Sequence, residues 1–318
     1  MSGHVPLRHL PLLLLLSTPH ARACAPPSAS WSRNSRSSAR LASKGFDRAA
    51  PSSVRADAAP RDIVVLCHTI PAAVAQGAFK LDNLPFGRVD LLARCASSAV
   101  FLSHGVRSNT RLWLQLLEYD VALCLDGGAV RGMHPDERTL AAAMRRTLAV
   151  AHGAKPRADT NNGWSLHRGG LEARLSELLQ QGAPDGGADS AVARRPLFQL
   201  HEQADATLDQ LLRADAEEAH AGGDGEAGGG DGDGGGGGDG DGGVSGGGDA
   251  PGVVLVMGDQ LGYGDEDEAA IARLGGRRAA CSPRGLLTSH CIVLCHHALD
   301  EAEARGPILL EPPRRQTI

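Results

Sequence analysis

Two glycine turns near the C-terminal end carry the residue types best suited to chemistry in this chain. The apolar run Val253-Val254-Leu255-Val256-Met257 leads into Gly258-Asp259-Gln260-Leu261-Gly262, and further on comes Cys281-Ser282-Pro283-Arg284-Gly285. A glycine turn at the end of a buried strand lets backbone N–H and C=O groups approach a ligand, because a side chain there would block the approach. Two such turns on adjacent strand ends make a ligand crevice; taken singly, each also fits a plain tight turn. A second cluster, His290, Cys291, Cys295, His296 and His297, has metal-ligand chemistry. Cys291 and Cys295 share a helix face at i, i+4. Between them, however, lie Ile292, Val293 and Leu294, and no second ligand pair stands at zinc-site spacing, so no metal is expected.

Strands and helices must hold these turns. Asp62–His68 is a short apolar run and the first expected strand; Ala99–Leu102, Leu112–Leu117, Val121–Leu125, Pro196–His201 and Val253–Met257 are others. Helices are expected over Arg88–Ser98, from His134 through Ala151, and over Leu166–Gln181, and the Ser282-Pro283 turn is expected to open an apolar helix. Leu140, Met144, Leu148 and Ala151 fall on one helical face, and Pro135 with early acids suits a helix start. Apolar strands alternating with helices predict a mostly parallel α/β sheet.

Two segments stand apart by composition. Residues 1–61 hold nine basic residues and two acids, Asp47 and Asp57; residues 214–250 are mostly Gly and Asp, with ten acids and no Lys or Arg. Neither buries enough apolar surface to offset the entropy of ordering. The expected organisation is therefore a disordered leader over 1–61, one domain made of 62–213 and 251–318, and a disordered, outward-looping insertion over 214–250. The whole chain has a net charge of −5. The two segments have opposite signs, so the folded part is close to neutral, which argues against a bulk electrostatic nucleic-acid binder. Arg88, Arg94, Arg107 and Arg111 are candidates for a local basic patch. Seven scattered cysteines imply no disulfide framework and fit a reducing compartment.

In the N-terminal segment, the apolar run Leu10–Leu16 after Arg8 and His9, with Ala21-Arg22-Ala23-Cys24-Ala25 behind it, resembles a secretory signal. The Arg- and Ser-rich, acid-poor stretch up to Arg61 reads as a transit segment. Together they fit an organelle leader, plastid or mitochondrial, with a cytoplasmic protein as the alternative. The run is too short to span a membrane, and no membrane partner is expected.

Four further segments are distinctive when taken in order: Gly87-Arg88-Val89-Asp90-Leu91-Leu92-Ala93-Arg94-Cys95 with Phe101-Leu102-Ser103-His104; Pro135-Asp136-Glu137-Arg138; Gly258-Asp259-Gln260-Leu261-Gly262 followed by acids; and Ser282-Pro283 with His290-Cys291. In this order and spacing they resemble the tRNA pseudouridine N1-methyltransferases of the SPOUT superfamily, the TrmY group. The resemblance covers about 62–213 and 251–300. It implies a Rossmann-like α/β domain whose C-terminal segment threads a trefoil knot, a homodimer, S-adenosylmethionine (SAM) as cofactor, and pseudouridine in tRNA as target.

Carried over residue by residue, the resemblance implies a cofactor pocket of three loops. Leu200 and His201 form the first, Gly258 the second, and Ala280, Cys281, Ser282, Pro283, Arg284 and Gly285 the third, with Cys291 closing the wall. Arg284-Gly285 departs from the Leu-Glu or similar pair of the family. Methyl transfer from a sulfonium needs alignment, and the N1 proton of pseudouridine must leave. Asp90 is the candidate base or orienting acceptor; it equally fits a carboxylate complementing a helix N-terminus. Arg88 is a candidate base or phosphate contact or a structural ion-pair partner. Arg94 and Arg138 are further RNA contacts, Arg138 alternatively pairing with Asp136 or Glu137. Two other readings stand beside this one: an rRNA pseudouridine methyltransferase of the Nep1 type, and a catalytically silent knotted RNA-binding protein, to which the Arg284-Gly285 departure lends weight.

Overall fold

The computed structural model describes residues 59–153, 162–181, 195–221 and 252–305. The leader up to residue 58 and residues 222–251 of the Gly/Asp run lie outside the described residues. In chain order the elements are β1 (Arg61–Cys67), α1 (Ala72–Ala75), α2 (Val89–Val100), β2 (Phe101–Leu102), β3 (Gly105–Val106), β4 (Thr110–Leu116) and β5 (Val121–Asp126). There follow α3 (Glu137–Ala151), β6 (Trp164–Arg168), α4 (Leu171–Gln180), β7 (Leu197–Leu200) and α5 (Leu208–Ala221). The last are β8 (Val253–Met257), α6 (Asp265–Arg273), β9 (Arg277–Ala279) and α7 (Thr288–Arg305).

Seven strands form one sheet in the order β6-β5-β4-β1-β8-β7-β9. The five from β4 to β9 pair in parallel, and β5 and β6 add an antiparallel edge. This is the mostly parallel α/β sheet expected. The alternation of a strand explains its two-sided core. On β1, Ile63, Val65 and Cys67 face a cluster built with α2, α3, α5 and α7, while Val64 and Leu66 face a second built with α4 and α6. A sheet covered on both faces accounts for strands that read as continuous apolar runs.

Several expected boundaries move. Ala99 and Val100 are not strand: Ala96, Ala99 and Val100 continue the buried stripe of α2, and only Phe101–Leu102 remain as a two-residue strand paired with β3. The helix expected from Leu166 starts at Leu171, because Trp164–Arg168 pairs with β5. Ser282-Pro283 opens no helix; the loop runs on to Leu287 and α7 starts at Thr288. α5 continues helical through Ala221, into residues expected to be disordered. Arg61, placed in the leader, is the first residue of β1 and fully buried. Asp136 caps α3 through the N–H of Thr139 (2.8 Å). Among the described residues, no helix is long and apolar enough to cross a membrane.

Candidate active site

Parallel strands end at one edge of a sheet, and the loops leaving that edge are where α/β folds hold ligands. Here β7, β8 and β9 end side by side, and their loops enclose a cavity of about 360 Å³. It brings together Leu200 and His201, Gly258, Cys281, Ser282, Arg284, Gly285 and Cys291, so all three expected loops meet at one place. Two expected members stand off the wall. Ala280 is buried behind it, its N–H donating to the Ala206 carbonyl (2.9 Å) and its carbonyl accepting from the N–H of Leu208 (2.8 Å). Pro283 is exposed.

Short contacts lock the loops together. The Thr288 hydroxyl donates to the Gly258 carbonyl (2.8 Å), joining the third loop to the second. The Tyr263 hydroxyl shares its proton between the carbonyls of Leu200 (2.7 Å) and Val256 (2.8 Å), joining the first to the second. Burial pushes the Tyr263 phenol up, so it stays neutral and acts as a donor. Its ring stacks beside His201, 6.2 Å between centroids. Sequence reasoning passed over Tyr263 and Thr288, and also the acids Glu202, Asp259 and Glu268 on the same wall. The acids following Gly262 were noted as a motif, but only the fold shows which of them face inward.

The glycines act differently from expectation. A side chain on Gly258 would strike the backbone of Gly262 rather than fill the cavity, so Gly258 permits the turn to close on itself. Gly262 supplies the left-handed residue of that turn, at φ 80°. Across the cavity, a Cβ on Gly285 would meet only the tip of the Glu202 side chain (2.7 Å), which can swing aside, so this position does not demand glycine as Gly258 does. The Cys291 thiol donates to the Leu286 carbonyl (4.0 Å), and its nearness holds the Cys281 thiol below its ordinary pKa.

A second cavity of about 90 Å³ adjoins the first and shares Asp259, Leu286 and Thr288 with it. Its floor is apolar, with Val65, Leu92 and Cys95 among its residues, and Arg88 stands at its rim. Gly87 and Arg88 are consecutive left-handed residues, φ 63° and 57°, that turn the chain sharply into α2. Asp90 lines neither cavity. It lies in the first turn of α2, where its Oδ2 pairs with Arg94 (2.6 Å) and its Oδ1 faces the Arg88 Nε at 3.6 Å. The Asp90 Oδ1 is buried and has no hydrogen-bond donor.

The basic patch does not assemble. Arg111 is committed to Asp62, Arg107 to Asp300, and Arg94 to Asp90 and Glu137. Arg138 is exposed on the first turn of α3 and makes no ion pair with Asp136 or Glu137. The His and Cys cluster also disperses. His296 is buried and bonds the Ala99 carbonyl (2.9 Å); burial first, then the Arg107 and Arg61 charges, hold it neutral, with a pKa lowered to about 3. Among the described residues no three His, Cys, Asp or Glu side chains are grouped to hold a metal ion.

Residues 61–185 and 239–304 match a family model described as "Putative SAM-dependent RNA methyltransferase". A tRNA (pseudouridine(54)-N(1))-methyltransferase of Halorubrum lacusprofundi is 39% identical over 153 residues, 47% of this chain and 70% of that relative. A protein of the same name from Methanosarcina acetivorans is 30% identical over 254 residues, 78% of this chain and 95% of that relative. A solved Archaeoglobus fulgidus Nep1 bound to S-adenosylhomocysteine overlaps 77% of this chain and 99% of its own, with a TM-score of 0.42 and 10% identity.

Proposed function

The chain belongs to the family of SAM-dependent RNA methyltransferases, and from that premise we propose that it transfers the methyl group of SAM to N1 of pseudouridine in tRNA. The observation that carries this is the meeting of the three strand-end loops around one cavity. The cavity fits the cofactor in size and in charge. Its volume lies in the range typical of small-molecule sites, about 300–1,000 Å³. Glu202, Asp259 and Glu268 line it against one basic side chain, Arg284, a balance that suits a ligand carrying a sulfonium and an ammonium. Leu261, Leu286 and the Tyr263 ring offer apolar surface for an adenine, and the backbone of the glycine turns offers polar contacts. When bound, SAM supplies an electrophilic methyl group.

The smaller cavity takes the target base. It adjoins the cofactor cavity, its floor is apolar, and it carries Arg88 and Asp259 for polar contacts to a pyrimidine. Arg88 is the base contact, and Asp90 is the acceptor that orients Arg88. Arg138, exposed and free of Asp136 and Glu137, is a phosphate contact. Arg94, held by two carboxylates, supports Asp90 more than it contacts RNA. A homodimer belongs to the same proposal: Leu286, Leu287, Val293 and Leu294 are apolar yet exposed on the third loop and α7, a combination that marks association surfaces. A trefoil knot does as well, supported by the position of β8 between β1 and β7 and the return of α7 onto α2. An organelle address for the leader is likewise a proposal.

Incubating the purified protein with labelled SAM and, in parallel, with tRNA and with rRNA that contain pseudouridine tests the reaction; label on N1 of pseudouridine in tRNA is expected, and label on rRNA alone would favour the Nep1-type target. Gly258→Val is expected to abolish SAM binding, because the side chain meets the Gly262 backbone and opens the turn. Calorimetry with SAM checks this, and an unchanged heat would show that the turn is dispensable.

A further inference from the structure

His68 follows β1 immediately, at the strand-end edge that holds the cavities. Its backbone N–H donates to Asp259 Oδ2 (2.9 Å). Its ring Nδ1 lies 3.2 Å from Asp259 Oδ1, and its ring Nε2 lies 2.8 Å from Asp267 Oδ2. One imidazole thus stands between two carboxylates, all three side chains at most one-fifth exposed. Each carboxylate has a second task. Asp259 Oδ1 also accepts from the N–H of Leu261 (2.8 Å), which shapes the turn after Gly258. Asp267 Oδ2 also accepts from the N–H of Gly264 (2.9 Å), which fixes the start of α6.

The segment Gly258 to Gly264, which carries the first acid and leads into the helix of the second, is one wall of the cofactor cavity, with Leu261, Gly262 and Tyr263 facing in. Asp259 belongs to both cavities. We infer that His68 is a positioning residue for the cofactor: it clasps Asp259 and Asp267 from β1 and thereby holds the 258–264 loop in its cofactor-binding shape. The physical reason is twofold. A glycine-bearing loop is costly to order, and a clasp at both ends orders it before the ligand arrives. Two carboxylates converging on one point repel, and the imidazole keeps them apart by standing between them with one ring nitrogen toward each. The inference rests on the cofactor reading of the larger cavity.

The test uses the full chain and S-adenosylhomocysteine. His68→Ala is expected to raise its Kd by about 10- to 100-fold, the range for loss of hydrogen bonds to charged groups. His68→Gln, which keeps one amide donor, is expected to recover part of that loss. The KM for SAM should rise while kcat at saturating SAM stays within a few-fold, since His68 touches the loop and not the reacting atoms. Asp259→Asn and His68→Ala should be strongly non-additive in Kd, because they cut the same contact. Amide hydrogen exchange of residues 258–264, measured without cofactor, should quicken in His68→Ala relative to β8. Unchanged exchange, unchanged Kd, or additive effects would each overturn the inference. If His68→Ala does not fold, His68→Gln and Asp259→Asn carry the same comparison. Wild-type protein that fails to bind S-adenosylhomocysteine, with exchange still quickened in the variant, would instead remove the cofactor reading of the cavity and leave the clasp as a loop tether only.

Discussion

Asp90→Asn is expected to slow single-turnover methylation of tRNA by about 10²- to 10⁴-fold, the span typical of general acid–base groups, while SAM affinity stays within a few-fold. The substitution keeps the shape of the side chain and its value near a helix N-terminus, so helix stability changes little. What it removes is charge. Asp90 sits between Arg88 and Arg94, and Arg88 is the residue at the rim of the second cavity. With a neutral amide in place of the carboxylate, Arg88 loses the partner that sets its direction. The buried Oδ1 of Asp90 without a donor marks this as the oxygen left open for that contact. Arg88→Ala should cost about as much, and the double variant little more than either single one. Methylation near the wild-type rate in Asp90→Asn would return Asp90 to the role of a helix-end carboxylate.

The other large effect is on folding. Asp62→Ala is expected to destabilise the protein by about 3–5 kcal/mol, as removal of one partner from a buried ion pair does, against a total stability of about 5–15 kcal/mol for an ordinary domain. Asp62 is fully buried at the start of the central strand. Its carboxylate accepts two bonds from Arg111 (both 2.7 Å) and one from the Trp113 indole (2.7 Å), and pairs with Arg195 (2.6 Å). Arg195 in turn donates to the carbonyls of Leu178, Pro60 and Val253, so one guanidinium ties together the starts of β1 and β8 and the end of α4. Without Asp62, two arginines face each other with no anion. Urea unfolding read by circular dichroism measures the loss; a midpoint within error of wild type would show that water reaches the site and screens it.

The sheet was legible in the sequence wherever a strand was an apolar run, as with Val253–Met257. It was illegible at β9, because Arg277-Arg278-Ala279 holds a strand position through backbone pairing to β7 and has almost no apolar signal of its own. The short apolar stretch Ala99–Leu102 misled for the opposite reason: periodicity over four residues does not separate a strand from the last turn of a helix. Two of the three loops at the larger cavity were legible as glycine and Ser-Pro turns, which mark close backbone approach, whereas the Leu200-His201 loop was expected only from the family resemblance. The residues that brace those loops were not. His68 meets Asp259 across 191 positions of chain and Asp267 across 199, and no local pattern relates residues so far apart. The basic patch failed on the same ground, since only the fold shows that Arg107 and Arg111 already have carboxylates.

Arg61 joins the first strand to the last helix. Its guanidinium lies 2.7 Å from Asp300 and 2.8 Å from Glu303, both on α7, and 3.2 Å from the His296 ring, with Arg107 closing on Asp300 from the other side. The opposite end of α7 begins at Thr288, on the wall of both cavities. The helix therefore works as a gauge of how far the N-terminal segment can be trimmed. A cut that spares Arg61 leaves its anchor whole. A cut one residue deeper leaves Glu303 without this cation and Asp300 with Arg107 alone, and is expected to loosen the hold of the first strand on α7.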